Sequence, residues 1–357
     1  MKIGVDLSMT KREPTGVGRY AKNMIEALKK IDKVNDYFFF FPKRYFFSKK
    51  IWQYFWLNFE LPLAIKKAQL DLFWQPHHYL PLFFLPKIKY VISVHDVIPF
   101  LMKEYRAFLP RVILNSMLPS SIKKADAIVT VSQSSKRDIL KVFDLDEKKI
   151  FVIYEAADEK FKKRELNEKE KERLRKKYHL PEGKFVLYLS GIEKRKNIEG
   201  IIKIADLLKK EKEIKFCLFG KVYFKGKEYL KEISKRENIS YHGLVDEKDL
   251  PYLYNLSYLF LFPSFYEGFG LPVLEAMQSG VPVLTSNTSS LPEVVGKGGI
   301  LHHPQDYKSF AKDIKRLYED EKFYQEMQKK AINQAKNFSW EKSARELLSL
   351  FEKVTKM

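Results

Sequence analysis

Along most of this chain, apolar runs of strand length alternate with stretches of helical period. In the first half the runs are Lys2–Leu7, Tyr37–Phe41, Leu70–Trp74, Tyr90–Val94, Ala127–Val131 and Phe151–Tyr154. In the second they are Phe185–Leu189, Lys215–Phe219, Ile239–His242, Tyr258–Phe262 and Val281–Leu284. Short runs of this kind read as strands buried on both faces, the pattern of a parallel sheet covered by helices. Between the first two lies GVGRYAKNMIEALKK, with Tyr20, Ala21, Met24, Ile25 and Leu28 at helical spacing. Its closing lysines suit the negative end of a helix dipole. NIEGIIKIADLLKK and DEKDLPYLYNLS fill the same place in the second series. Strands joined through helices imply right-handed crossovers. The fold expected is α/β, with two doubly wound Rossmann-like domains.

A chain of 357 residues exceeds the usual single core, which agrees with two domains. The composition shifts at DEKFKKRELNEKEKERLRKKYHLPEGK, Asp158 to Lys184, a charged helix and turn that read as a solvated boundary. The expected division is 1–160 and 180–338. Asp306 to Lys356 reads as helical, with a break near Asn337–Ser339, and helix 340–357 is expected to pack back on the first domain.

Hydrophobic residues make up 45% of the chain, with 28 Phe and 20 Tyr, so global disorder is excluded. Basic residues exceed acidic ones by +20, which favours partners carrying phosphate, or else reflects a lysine-rich surface. The lone cysteine, Cys217, lies in the apolar run FCLF, so no disulfide framework is available and a reducing cytoplasm fits. MKIGVDLS reads as a strand rather than a leader, because Asp6 breaks its apolar run. No apolar run reaches the ~18 residues of a membrane span. FFFFPKRYFFSKK and IWQYFWLNFELPLAIKK mix aromatic and basic residues, which suits either core packing or the inner face of an anionic membrane.

The chemistry concentrates after strands. PSFYEGFGLPVLEAMQSG, Pro263 to Gly280, follows YLFLF and should form a glycine loop leading into a helix with Pro272 in its first turn. Backbone N–H groups and the positive end of the helix dipole then point at one spot, which suits phosphate. Glu267 in the loop and Glu275 in the first helical turn bracket that spot and could accept hydrogen bonds from hydroxyl groups. Phosphate with hydroxyls describes a sugar nucleotide. SGIEKRKN, Ser190 to Asn197, brings Lys194, Arg195 and Lys196 to a strand–helix junction, where Arg grips phosphate and Lys adds a point charge. Gly16 and Gly18 lie between the first strand and its helix, without the third glycine of a dinucleotide fingerprint. His95, after YVISV, can serve in proton transfer or in structure. The adjacent His77-His78 pair and the charged turn Asp144-Leu145-Asp146 are both rejected as metal sites.

Taken together these motifs resemble the retaining glycosyltransferases of family four, which have the GT-B fold of two Rossmann-like domains facing a cleft. TGVGRYAKNMIEAL resembles the family's glycine loop and helix, VHDVIPF its histidine loop and VTVSQSSKRDI its serine–lysine segment. SGIEKRKN resembles its phosphate loop, and His242 to Val295 nearly its whole signature. The resemblance implies that Glu275 holds ribose hydroxyls and Glu267 the donor sugar. It places Phe269, Gly270 and Leu271 on sugar and distal phosphate, and Arg195 and Lys196 on the diphosphate. His95 falls beside the anomeric carbon, with Gly16 and Gly18 closing over phosphate. Many members carry an Arg where this chain has Ser190-Gly191, a departure that Arg195 would make good.

The activity implied is retaining, metal-independent transfer of a hexosyl unit, with mannose and GDP-mannose favoured. The acceptor would be a sugar or a lipid-linked sugar in surface polysaccharide or glycolipid assembly. No separate cofactor and no nucleic-acid partner are expected. The rivals are an epimerase or phosphorylase on the same scaffold, and a basic nucleic-acid-binding protein. The latter has no need of the Glu267/Glu275 pair and no recognisable nucleic-acid module.

Overall fold

The computed structural model describes residues 1–8, 16–42, 52, 54–102, 116–223 and 225–356. Part of the aromatic and basic tract at 38–50 therefore lies outside the described residues. The chain forms two compact units, 1–155 with 339–357, and 156–338.

The first unit is built on a wholly parallel sheet. Its strands are β1 (Lys2–Asp6), β2 (Asp36–Phe40), β3 (Leu72–Gln75), β4 (Lys89–Ser93), β5 (Ala127–Thr130) and β6 (Ile150–Val152). They lie in the order β2-β1-β3-β4-β5-β6, with Ile3 opposite Leu72 and Val91 opposite Ala127. β3 and β5 are buried along their whole length, which is why their sequences are apolar without alternation. The helix Gly16–Ile31 buries Tyr20, Ala21, Met24, Ile25 and Leu28, the stripe expected from its period. Helix Trp340–Thr355 belongs to this unit although the second unit precedes it. It buries Leu347, Leu350, Phe351 and Val354, setting Trp340 5.9 Å from the Tyr20 ring and Phe351 6.0 Å from Trp74.

The second unit repeats the design with β7 (Phe185–Leu189), β8 (Lys215–Phe219), β9 (Ile239–Tyr241), β10 (Leu259–Phe262), β11 (Val283–Ser286) and β12 (Ile300–His302). Their order is β12-β11-β10-β7-β8-β9, again parallel throughout. β12 has no counterpart among the expected strands: it is three residues long and only half-buried, so it lacks a continuous apolar run. The C-terminal stretch also breaks once more than its sequence suggested. Asp320 closes helix Tyr307–Glu319 and caps Glu321–Ala335, accepting from the Phe323 N–H at 2.9 Å.

The charged segment forms helix Glu168–Tyr178, opened by a reciprocal capping box between Asn167 and Glu170. It is more than a solvated face. Arg173, Lys177 and the Tyr178 hydroxyl converge on buried Asp249 at 2.9, 2.6 and 2.8 Å. Burial opposes charge on Asp249, yet these donors hold its carboxyl down to about 2.

Each sheet has one place where strand order reverses. In the first, chain order runs outward from β1 to β2 on one side and to β3 on the other. In the second, β7 is followed by β8 on one side and flanked by β10 on the other. Open α/β sheets bind ligands beyond the carboxyl ends of strands at such a reversal.

Candidate active site

At the carboxyl end of β7 the chain enters a single turn of 3-10 helix, Lys194–Lys196, before helix Ile198–Leu207. Asn197 makes this junction possible. It takes the left-handed conformation, φ 57°, and caps the helix by accepting from the Gly200 N–H. Its side-chain amide also donates to the carbonyls of Pro263 (2.9 Å) and Pro304 (2.7 Å). Pro263 ends β10, so this one residue ties the two strands that flank the reversal.

Across it, Glu267 comes from the loop after β10. Lys196 Nζ donates to both of its carboxylate oxygens, at 2.7 and 2.8 Å, and Arg195 adds a contact at 3.3 Å. Arg195 also donates to the Tyr266 carbonyl at 2.7 Å and to Glu193 at 2.8 Å. Lys196 and Glu267 are both buried. Burial opposes the charge of Glu267, but Lys196 and Arg195 hold its carboxyl below the usual range; burial pulls the Lys196 ammonium down, with Glu267 opposing. The pair is thus an ammonium and a carboxylate neutralising each other inside the protein. Residues expected to meet separate parts of a ligand meet one another here.

The loop between them is held from below by serines. Ser289, left-handed at φ 51°, accepts from the Glu267 N–H at 2.9 Å. The Ser290 hydroxyl donates to the Phe269 carbonyl at 2.7 Å, with the Glu267 carbonyl at 3.0 Å. Gly270 then turns the chain into helix Leu271–Gln278 at φ 114°, a conformation open to glycine. An added Cβ there would also meet Leu291 at 2.9 Å. Glu275 falls in the second turn of this helix rather than the first, because the helix begins at Leu271. It is buried and accepts from the Tyr254 hydroxyl at 3.0 Å. Neither Tyr254 nor the two serines stood out in the sequence: each acts through a tertiary contact that no local pattern encodes.

The first unit holds a different constellation. His95, just beyond β4, is buried, its Nδ1 3.2 Å from Glu155 and its Nε2 3.0 Å from the Pro76 carbonyl. A carbonyl only accepts, so Nε2 carries a proton. Nδ1, when protonated as well, gives the charged ring a partner in the Glu155 carboxyl. Burial opposes that charge, while Glu155 raises the His95 pKa above its ordinary value. Tyr20 stands edge-on at 4.6 Å, and the Ser135 hydroxyl donates to the His95 carbonyl at 2.8 Å. His78 also packs 5.8 Å from the ring; burial first, then the neighbouring histidines, pushes it down to about 3. His77 instead lies 2.8 Å from Asp6 at the end of β1. Asp146 caps a short turn, accepting from the Lys148 N–H at 2.9 Å. Gly16 opens helix Gly16–Ile31, and Gly18 is buried in its first turn.

A family model for glycosyl transferases group 1 matches residues 170–353, and one for glycosyltransferase family 4 matches residues 14–161. The chain belongs to these glycosyltransferases. Among its relatives is the O-antigen chain mannosyltransferase B of Escherichia coli, 34% identical over 76% of this chain and 73% of that one. The serotype-specific mannosyltransferase WbdA of the same organism is 34% identical over 72% of this chain. The glycosyltransferase spans 32% of the length of WbdA. Anabaena HepE, solved with UDP and glucose, superposes with a TM-score of 0.72 over 98% of this chain and 99% of that chain, at 17% identity. That likeness places the glycosyltransferase in the GT-B fold.

Proposed function

We propose that this glycosyltransferase moves a mannosyl unit from GDP-mannose to a hydroxyl of a sugar or lipid-linked sugar acceptor, with retention at the anomeric carbon, in surface polysaccharide or glycolipid assembly. The observation that carries the reading is the Arg195–Lys196–Glu267 cluster at the strand reversal of the second sheet, beside the start of helix Leu271–Gln278. The mannosyltransferase relatives support the sugar, and the guanine base follows the donor that the family resemblance favours.

Arg195 and Lys196 take the donor diphosphate, with Phe269, Gly270 and Leu271 offering backbone to sugar and distal phosphate. Glu275 accepts from ribose hydroxyls and Glu267 from the sugar. In the first unit, Gly16 and Gly18 are assigned to phosphate and His95 to the transferred sugar. The anomeric C–O bond breaks, leaving positive charge on the sugar and negative charge on the departing phosphate. The acceptor oxygen bonds to the anomeric carbon on the same face, and its proton passes to a phosphate oxygen. Protein cations neutralise the leaving group, so the reaction requires no metal. A preorganised donor of this kind contributes on the order of 3 kcal/mol. Donor binding also draws Lys196 from Glu267, freeing the carboxylate for sugar hydroxyls.

Thermal-shift titration with GDP, UDP and dTDP tests the donor, since a ligand of the folded state raises stability by mass action. GDP should give the largest shift, and Glu275→Ala should abolish most of it. Equal shifts for the three nucleotides would remove guanine. Incubation with GDP-mannose alone should yield neither an epimer nor a sugar phosphate; either product would overturn transfer as the activity.

A further inference from the structure

Residues 54–68 form a helical segment that is apolar on two opposite sides. A turn of π-helix, Trp56–Glu60, runs into helix Leu61–Ala68. One side buries Trp56, Leu57, Leu61 and Ile65 in the core of the first unit. The other presents Phe55 (42% exposed), Phe59 (47%) and Leu63 (64%) to solvent, at the i, i+4, i+8 spacing of a single stripe. A helix apolar all round is ordinarily enclosed or in contact with lipid.

The stripe does not end with the helix. Phe55 stacks on Phe59 at 5.0 Å, and Phe59 meets Phe83, itself 64% exposed, at 5.8 Å. Phe84 follows, 45% exposed, with Lys66 Nζ 6.0 Å from its ring. The loop carrying these rings is fixed to the helix: the Leu82 N–H donates to Asn58 at 2.8 Å, and Lys124 donates to the Leu82 carbonyl at 2.9 Å. A rigid ridge of touching phenylalanines in water is costly unless something covers it.

Its margin says what does. Exposed Lys66 and Lys67 close the helix, Lys87 follows the two phenylalanines, and exposed Lys124 reaches the loop at the Leu82 carbonyl. Glu60 is the single acid within 54–68. Aromatic side chains ringed by ammonium groups complement an anionic bilayer, where rings enter the acyl boundary and lysines meet headgroups. We propose that this ridge docks the first unit on an anionic membrane surface by shallow insertion of Phe55, Phe59, Leu63, Phe83 and Phe84. Among the described residues no helix is long and apolar enough to cross a membrane, so the contact is interfacial.

Co-sedimentation of the full chain with phosphatidylcholine vesicles, with and without phosphatidylglycerol, tests this. Binding should require the anionic lipid and weaken with salt. Near such a surface each lysine contributes roughly a factor of five in affinity, so Lys66→Glu/Lys67→Glu should weaken binding by well over about tenfold. Phe59→Ser/Phe83→Ser should do likewise while leaving the circular dichroism and melting temperature unchanged, because both rings are exposed. Lys329→Glu/Lys330→Glu, an exposed pair on the second unit, should leave most of the binding in place. An equal loss from that control would show attraction by diffuse charge and overturn the proposal. So would equal binding to phosphatidylcholine alone. Vesicle-independent dimerisation abolished by Phe59→Ser/Phe83→Ser would overturn it as well, by assigning the ridge to a second copy.

Discussion

Lys196 and Glu267 show why the same two side chains can serve both fold and ligand. Each is costly to bury alone, and each removes most of the other's cost. Glu267→Gln keeps the shape but leaves a buried ammonium beside Arg195, and unfolding titrations should show a loss of about 3 kcal/mol. The sign with pH follows from the depressed carboxyl. Its stabilisation is present above the ordinary value of 4.5 and is lost as pH falls through the lower folded value. The substitution should therefore remove part of the acid limb of the stability profile. His95 has the opposite sign. Its raised pKa stabilises the fold fully below the ordinary value of 6.5, and that contribution is lost as pH rises through the folded value. Melting temperature should fall over that interval in the parent chain, and Glu155→Gln should flatten the fall. A profile unchanged by Glu155→Gln would show that the ring is not held charged by Glu155. None of this could be read along the chain: Lys196 and Glu267 are 71 positions apart, and His95 and Glu155 are 60. The sequence does show which residue types follow which strands; it does not show that they pair.

At the scale of elements, a continuous apolar run made a strand legible, whether enclosed or, as in β2, half-exposed. β3, β5, β10 and β11 are enclosed along their length, so packing imposes an apolar run that needs no partner to recognise. β12 is half-exposed and short, and pairing with β11 alone makes it a strand. The helix Glu168–Tyr178 misled for the converse reason. Its mean polarity is that of a solvated surface, yet three side chains from one turn and a half reach a single buried carboxylate. Asp249→Ala should cost about 2–3 kcal/mol, because the Tyr178 hydroxyl loses its acceptor, Arg173 its carboxylate and Lys177 one of its two. Chemical denaturation reads the loss. Lys169→Ala, at an exposed position of helix Glu168–Tyr178, gives the comparison: a surface change there should stay within about 0.5 kcal/mol.

The whole molecule repeats one construction, a six-stranded parallel sheet with a reversal of order, in two units with different chemistry at the reversal. In the second unit it is cations against a carboxylate; in the first, His77 against Asp6 with the His95 cluster near by. The first unit is also discontinuous in the chain. A variant stopped after Phe338 would uncover Tyr20 and Trp74 and lose the buried face of Trp340–Thr355, a loss on the order of 5 kcal/mol or more. Hydrogen exchange should then speed up in Gly16–Ile31 and leave β7–β11 protected. Equal loss in both units would show that they unfold as one.

That discontinuity bears on how the protein is made. The ribosome completes residues 156–338 before it releases Trp340–Thr355, whose Thr355 hydroxyl ends up 3.3 Å from the sulfur of Met1. The unit begun first is thus finished last. Until then Tyr20 and Trp74 wait without the ring contacts that complete their packing, while the second unit already has its whole sheet in hand. For the nascent chain, the order of assembly is the reverse of the order of reading.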